Sequence, residues 1–595
     1  MARRRRCRVG RPTRQHGVVN DPSVTATFCT TIVDEFVRCG VADAVICPGS
    51  RSTPLALALV AEPRLRTHVV LDERSAGFLA LGLGAATGRP AIVLTTSGTA
   101  AVELHPAVVE ADLGQVPLLV CTADRPPELH GVGAPQTVDQ QHLFGRSVRS
   151  FVDPGPPDGT TSATWRSLAA RAVADTVGTP HGPVQLNLPF REPLVGRVGA
   201  MPTGRSDGAP WHSRLVGVGV PDPEQVARLV GAFGTTDAPR RGVVVAGAGL
   251  DAAAADAVVE LATRLCWPLF ADPRSNARTT APVVVAHADG LLRVPSFAAL
   301  RPEVVLRFGA PPASKVLAQW LAAGDALRIS VDAAGTWWDP DRHLDVVVAA
   351  DPGRTAAAFA AALARGSDDA DDTWLARWRR ADDGAAAAIG DALRGGDARS
   401  EPAVARAVWA AAGGDDVVVV SSSMPVRDLE WFAGRRAAPP RVLANRGANG
   451  IDGVVSTAVG VALATPATTW LLVGDLALLH DTTALQHLAE RDVRLRIVVA
   501  DNGGGGIFSF LPQRATVDAA SFERLFGTPH GLQLESLLAV HGVEVVPCGA
   551  DLDVSIAELA AHPSSAAALV VPGDRAGNVA VHDRLHAAIA AALGA

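Results

Sequence analysis

The sequence predicts an α/β protein made of three parallel-sheet α/β domains, on three grounds. A chain of 595 residues is longer than one hydrophobic core accommodates, so it divides into domains. Its strand-like runs are apolar at nearly every position, as in VVVV and LLV, which is the pattern of strands buried on both faces. Each run ends in a polar or glycine-rich turn that leads into a helix-like segment, the grammar of repeated βα units.

The opening MARRRRCRVGRPTRQHG is basic and lacks a following apolar stretch, so residues 1–24 are expected to form a disordered tail and not a signal peptide. Helical periodicity in TATFCTTIVDEFVRCG precedes the strand-like VADAVICPG, and a helix is expected in SRSTPLALALVAEP. THVVLDERSAG, PAIVLTTSGTAAVELHPAVVEAD and VPLLVCTADRPPE repeat strand, turn and helix, giving a first domain over 25–195. PFREPL and the Gly/Ser/Pro-rich TGRSDGAPWHS mark its end, because such clusters punctuate elements. RGVVVAGAGL opens a second domain over 213–366, and SDDADD follows as a charged linker or an exposed helix start. A third domain over 395–590 contains DDVVVVSSSMPVRD, PRVLANRGANGIDGVV, TWLLVGDLALL and LRIVVADNGGGGIFSF.

Composition narrows the function. Acidic residues outnumber basic ones, 61 to 54, and no sustained basic run lies beyond the first residues, which argues against a nucleic-acid partner. Apolar runs are too short for a bilayer span. The seven cysteines, Cys7, Cys29, Cys39, Cys47, Cys121, Cys266 and Cys548, form no CxxC pair; reduced, mostly buried thiols in the cytoplasm are expected.

In open parallel sheets, ligands sit beyond the carboxyl ends of the strands. Asp475 directly follows one predicted strand, and Asn502 follows another 27 residues later. That spacing accommodates a helix and a neighbouring strand, so both oxygens are able to face one cation. Mg²⁺ takes such oxygen ligands alongside phosphate and water. The Gly504 carbonyl is a third candidate, and glycine at 474 and 504 is expected to admit close approach of an ion or phosphate. Caps and turns are the competing role for such residues. Asp72 and Glu73 also follow a strand; either is able to present a carboxylate to a cleft or to cap a helix. GVVVAGAG lacks the full GxGxxG context and a ribose-binding acid, so the central domain reads as scaffold, with no basis for FAD.

GD at 474–475 with DN at 501–502 resembles the thiamine-diphosphate signature, departing from it at Leu476 and Asp501. ICPGSRSTPLALAL, LDERSAGFLALGLGAATG, VPLLVCTADRPPELHGVGAPQTVDQ, SMPVRD and ANRGANGIDG together resemble the 2-succinyl-5-enolpyruvyl-6-hydroxy-3-cyclohexene-1-carboxylate synthases of menaquinone biosynthesis. The resemblance implies three domains of the thiamine-diphosphate enzyme type: pyrimidine-binding, central and diphosphate-binding. It implies a transferase that decarboxylates 2-oxoglutarate and adds the succinyl-semialdehyde carbanion to isochorismate.

The same resemblance assigns residues. Glu73 is the carboxylate that activates the cofactor's aminopyrimidine. Asp475, Asn502 and the Gly504 carbonyl hold Mg²⁺ or Mn²⁺, and Ile451 supports the bent cofactor. Ser97, Gly98, Gln136, Ser423, Gly474, Ile507 and Phe508 complete the cofactor cleft. Ser50, Arg51, Arg125, Gln136, Lys315, Ser423, Arg427 and Arg446 are the substrate-binding set, the arginines suiting two carboxylate-bearing substrates. Val316 stands where some members have a second basic residue, and Pro135 where an asparagine can precede Gln136. The family builds its sites between subunits, which implies a homodimer or homotetramer. Another thiamine-diphosphate enzyme acting on small 2-oxoacids, or a catalytically silent scaffold, are the alternatives.

Overall fold

Valine, leucine and isoleucine runs form short parallel strands, and in several of them every residue is buried. The computed structural model describes residues 21–235, 238–363, 373–396 and 398–594. β1 (Asp43–Ile46), β2 (Arg66–Val69), β3 (Ala91–Thr95), β4 (Leu118–Asp124), β5 (Ser150–Val152) and β6 (Pro183–Pro189) form a sheet of order β2-β1-β3-β4-β6-β5. A two-stranded ribbon, β7 (Gly234–Thr235) with β8 (Ala238–Pro239), precedes the second sheet. There β9 (Gly242–Ala246), β10 (Leu269–Ala271), β11 (Val284–Val285), β12 (Val304–Phe308), β13 (Leu327–Asp332) and β14 (Val346–Ala349) take the order β11-β10-β9-β12-β13-β14. In the third, β15 (Val417–Val420), β16 (Arg441–Leu443), β17 (Thr469–Gly474), β18 (Leu495–Asp501), β19 (Glu544–Val546) and β20 (Ala566–Pro572) are ordered β16-β15-β17-β18-β20-β19.

The first and third sheets therefore share one topology. Strand order reverses between β1 and β3 in one, and between β15 and β17 in the other. These reversals open crevices at the strand carboxyl ends, where ligands bind. The second sheet reverses between β9 and β12, but its own backbone fills that crevice. A Cβ on Gly247 would lie 1.5 Å from the Ala310 carbonyl oxygen, and the Ala310 N–H donates to the Ala248 carbonyl at 2.9 Å. Gly247 of GVVVAGAG serves this chain crossing.

Apolar packing joins the domains. One core runs from the second sheet into the third through Phe270, Trp378, Val418 and Leu569; another joins the first to the third through Val45, Leu79, Val459 and Val499. At the latter joint the helices Glu73–Thr87 and Val454–Ala464 cross so closely that a Cβ on Gly82 would stand 2.2 Å from the Thr457 carbonyl oxygen.

Two expectations about the ends of domains are corrected. The first helix opens at Pro22, capped by Asp21, so residues 21–24 are ordered chain and not tail; residues 1–20 lie outside the described residues. SDDADD also lies outside them, but a helix, Thr373–Arg394, fills the stretch assigned to no domain. Its Trp374, Trp378, Ala381, Ala385 and Ile389 are buried at the three- and four-residue spacing of one helical face. Of the described cysteines, Cys29, Cys47 and Cys121 are buried, whereas Cys39, Cys266 and Cys548 are half-exposed. Among the described residues no helix is long and apolar enough to cross a membrane.

Candidate active site

The crevice of the third sheet gathers the oxygen-bearing residues. Asp475 starts the helix Asp475–His480 at the end of β17. Its Oδ1 accepts the Leu476 N–H at 2.6 Å, and its Oδ2 accepts the Gly504 N–H at 2.7 Å. Burial raises its pKa. Asn502, just past β18, donates from Nδ2 to Glu401 Oε1 at 2.8 Å. Its Oδ1 is buried and has no hydrogen-bond donor among the described residues. A buried acceptor left without a partner is costly, and a cation beside it would supply what the protein does not. A Cβ on Gly474 would meet nothing within 4 Å, so the space beside Asp475 is open to a bound group such as a diphosphate. The donor set is hard oxygen, which suits Mg²⁺ or Mn²⁺.

Gly504, Gly505 and Gly506 have a different reason from the close approach to an ion or phosphate expected at 504. Gly504 has φ +152°, and a Cβ there would stand 2.0 Å from the Gly527 carbonyl oxygen. A Cβ on Gly505 would stand 2.1 Å from the Phe526 carbonyl oxygen, and one on Gly506 2.5 Å from Asn502 Nδ2. The loop is stripped of side chains to seat it against protein backbone and the Asn502 amide; it is Gly474 whose missing side chain leaves room for a ligand.

Beyond the glycines, Ile507 is half-buried and Phe508 lies against Phe526 with ring centroids 5.5 Å apart. Ile451 is 36% exposed, an apolar side chain turned out of the core.

The first sheet's crevice separates the two carboxylates that the sequence left unresolved. Asp72 is the N-cap of Glu73–Thr87, accepting the Ser75 N–H, and it also accepts from Thr483 Oγ1 at 2.8 Å. Glu73 has no such task. Burial raises its pKa, and the neighbouring Asp72 and Glu103 carboxylates add to the rise. After β3, Ser97 Oγ donates to the Gln136 carbonyl at 2.9 Å, and the Gly98 N–H donates to Gln140 Oε1 at 3.0 Å. Gly98 has φ +89°, a conformation that favours glycine. Ser50 and Gln136 are exposed.

The arginines form two groups. Arg51 is buried, donating to the Phe190 carbonyl at 2.8 Å and to Glu192 at 3.0 Å. Burial and then the nearby Arg125 lower its pKa. Arg125 donates to the Pro135 carbonyl at 3.2 Å, a contact that proline supports as well as asparagine. In the second group burial, followed by the Arg274 and Arg427 cations, brings Arg446 down to about 10. Arg427 donates to the Ser423 carbonyl, and Ser423 holds φ +76° at the start of Met424–Phe432, a backbone strain of about 1–3 kcal/mol that often marks functional turns. Lys315 is exposed at the start of Lys315–Ala322; the preceding Ser314 N–H donates to Glu430, on the helix of Arg427, at 3.2 Å. Val316 packs on the core between the second and third sheets.

Among the described residues no hydrogen bond or ion pair joins Glu73 to Asp475 or Asn502, and each answers to different neighbours. Sequence reasoning overlooked His530, whose Nε2 lies 3.2 Å from Asp475 Oδ2 and 3.7 Å from Asp501 Oδ1, the three forming a cluster of metal-ligating type. Its Nδ1 accepts the Leu532 N–H at 3.0 Å, so Nε2 carries the proton and His530 donates to Asp475. It also overlooked Glu401 and Arg274, which lie in no motif and reach the site only through the fold, and Gln140, the last residue of VPLLVCTADRPPELHGVGAPQTVDQ.

Comparison with known proteins places this arrangement in a class. Residues 26–143 match the N-terminal TPP binding domain of thiamine pyrophosphate enzymes, 236–415 the middle domain, and 430–569 the C-terminal TPP binding domain. The fold and its two crevices are thus those of a thiamine-diphosphate-dependent enzyme. A 2-succinyl-5-enolpyruvyl-6-hydroxy-3-cyclohexene-1-carboxylate synthase from Myxococcus xanthus is 42% identical over 97% of this chain and 99% of its own. Proteins of the same name from Chloroflexus aurantiacus and Halobacterium salinarum are each 43% identical over 86% of this chain, covering 88% and 89% of theirs. The chain belongs to the family of these synthases.

Proposed function

We propose that this protein uses thiamine diphosphate to decarboxylate 2-oxoglutarate and add the resulting succinyl-semialdehyde unit to isochorismate, releasing CO₂, in menaquinone biosynthesis. Membership of the synthase family over nearly the whole chain is the observation that carries this reading. The unpartnered Asn502 Oδ1, just past β18 and thus at the end of the strand paired with the one that precedes Asp475, supports the cofactor's place in the third-sheet crevice.

When bound, the cofactor supplies the electron sink that lets a 2-oxoacid lose CO₂ and serve as a nucleophile. The chain's residues bind, orient and move protons around it. Asp475, Asn502 Oδ1 and the Gly504 carbonyl hold Mg²⁺ or Mn²⁺, and open space at Gly474 admits the diphosphate. Glu73, with its raised pKa, exchanges a proton with the aminopyrimidine nitrogen, a general acid–base role favoured by a pKa nearer neutrality. Ile451, Ile507, Phe508, Ser97, Gly98, Gln136 and Ser423 line the cofactor. Arg51 and Arg125 on one side, with Arg427, Arg446 and Lys315 on the other, take the substrate carboxylates alongside Ser50. Membership of the synthase family, whose sites are expected between subunits, supports a homo-oligomer whose sites pair the first domain of one copy with the third of another. We place this chemistry in the cytoplasm.

Purified protein with Mg²⁺, thiamine diphosphate and both substrates should form the addition product. Product that requires both substrates is expected. CO₂ release at an unchanged rate without isochorismate, and no addition product with it, would overturn the assignment. An active monomer by mass measurement would overturn the shared site.

A further inference from the structure

An asparagine side chain carries an oxygen acceptor at one end and an NH₂ donor at the other, and which end faces a site depends on what the other end meets. Here the NH₂ meets a carboxylate. Asn502 Nδ2 donates to Glu401 Oε1 at 2.8 Å, while Asn502 Oδ1 is buried without a donor. Turning the amide over would set oxygen against a carboxylate oxygen and aim the NH₂ group at the corner bounded by Asp475 and Gly504.

Glu401 is well placed to enforce the choice. It starts the helix Glu401–Ala411, far from the glycine loop in sequence, and that helix is anchored by Val404 and Val408 in the core shared by the second and third sheets. Gly506 leaves the amide this position, since a Cβ there would stand 2.5 Å from Nδ2.

We infer that Glu401 is a positioning residue: by accepting from Nδ2, it fixes the Asn502 amide with its oxygen toward the cation that grips the cofactor's diphosphate. Glu401 makes no contact with that cation itself. The inference rests on the reading of Asn502 as a metal ligand, and it requires the acceptor atom of Glu401 and not its charge.

The test measures Mn²⁺ binding in the presence of thiamine diphosphate, by loss of the free-ion electron paramagnetic resonance signal, together with the melting temperature of the metal-free protein. Glu401→Gln keeps an oxygen acceptor and is expected to bind Mn²⁺ within about three-fold of the unaltered protein, whereas Glu401→Leu should bind about ten- to a hundred-fold more weakly, the usual effect of losing a residue that orients a metal ligand. The melting temperature of Glu401→Leu should be no lower than that of Glu401→Gln. Should the leucine variant not fold, Glu401→Ala is read in the same way. Asn502→Ala separates the two layers of the argument. If it binds Mn²⁺ as tightly as the unaltered protein, the ligand reading falls and the inference with it. If it loses binding while Glu401→Leu does not, only the role of Glu401 is overturned. Equal weakening in the glutamine and leucine variants would also overturn it, since charge alone would then account for both.

Discussion

The Gly504 N–H donates to Asp475 Oδ2 at 2.7 Å across 29 residues of sequence. This one bond ties the loop after β18 to the helix start after β17, the two strands that flank the metal corner. It forms only because Gly504 lies against the Gly527 carbonyl in a backbone conformation open to glycine alone.

Gly504→Ala should therefore damage both the fold and the corner. The added Cβ meets backbone, which cannot swing aside, so a stability loss of about 2 kcal/mol is expected in urea unfolding. Thiamine-diphosphate binding should weaken with it. Gly503→Ala, where a Cβ would meet nothing within 4 Å but φ is +70°, should cost about 1 kcal/mol.

The adjacent carboxylates Asp72 and Glu73 should separate cleanly by substitution. Glu73→Gln is expected to lower turnover about a hundred-fold or more, the loss typical for a proton-transfer group, with melting temperature and cofactor affinity little changed. Asp72→Ala removes the helix cap and should instead cost about 1 kcal/mol of stability. Steady-state rates and thermal melts on both variants check the pair.

Arg427→Ala and Arg446→Ala should raise KM for the carboxylate substrates by at least about ten-fold, the value of one charge-assisted contact. Cofactor affinity, read by fluorescence quenching, should change far less. Equal loss of both would show that the two arginines serve the cofactor.

Acid should expose a surface network of the first domain. Burial alone would raise Asp34, but hydrogen bonds from Arg64, Arg166 and Arg38 outweigh it and bring the carboxyl to about 2. A depressed folded-state pKa contributes stability that is complete above the unfolded value and is lost as pH falls through the folded one; for Asp34 that window runs from 3.8 down to about 2. Arg166 is 4% exposed and bridges Asp34 and Glu35, so Arg166→Ala should cost about 3 kcal/mol at neutral pH. The gap between variant and unaltered protein should narrow below pH 3.8, as measured by chemical denaturation at each pH.

Much of this was legible in one dimension. Buried parallel strands announce themselves as unbroken apolar runs, and the residues that follow them are fixed to one end of a sheet by connectivity. Asp475 and Asn502 could therefore be picked from their strand ends before any fold was known, whereas Ser50, Ser97 and Ser423 were selected by family resemblance. Positions 373–394 were missed because acidic residues before them suggested a linker, although the tryptophans at 374 and 378 keep helical spacing.

By itself, then, the sequence determined the three sheets, the strand ends that carry chemistry and the chemical types available there, because alternation, run length and turn composition are local properties of the chain. Tertiary structure alone decided that Asp72 caps a helix and Glu73 does not, that Glu401 and His530 stand beside the metal corner, and that protein backbone fills the space at Gly504. These depend on which atoms from distant segments are brought within about 3 Å of each other, and no local pattern of residues encodes such a distance.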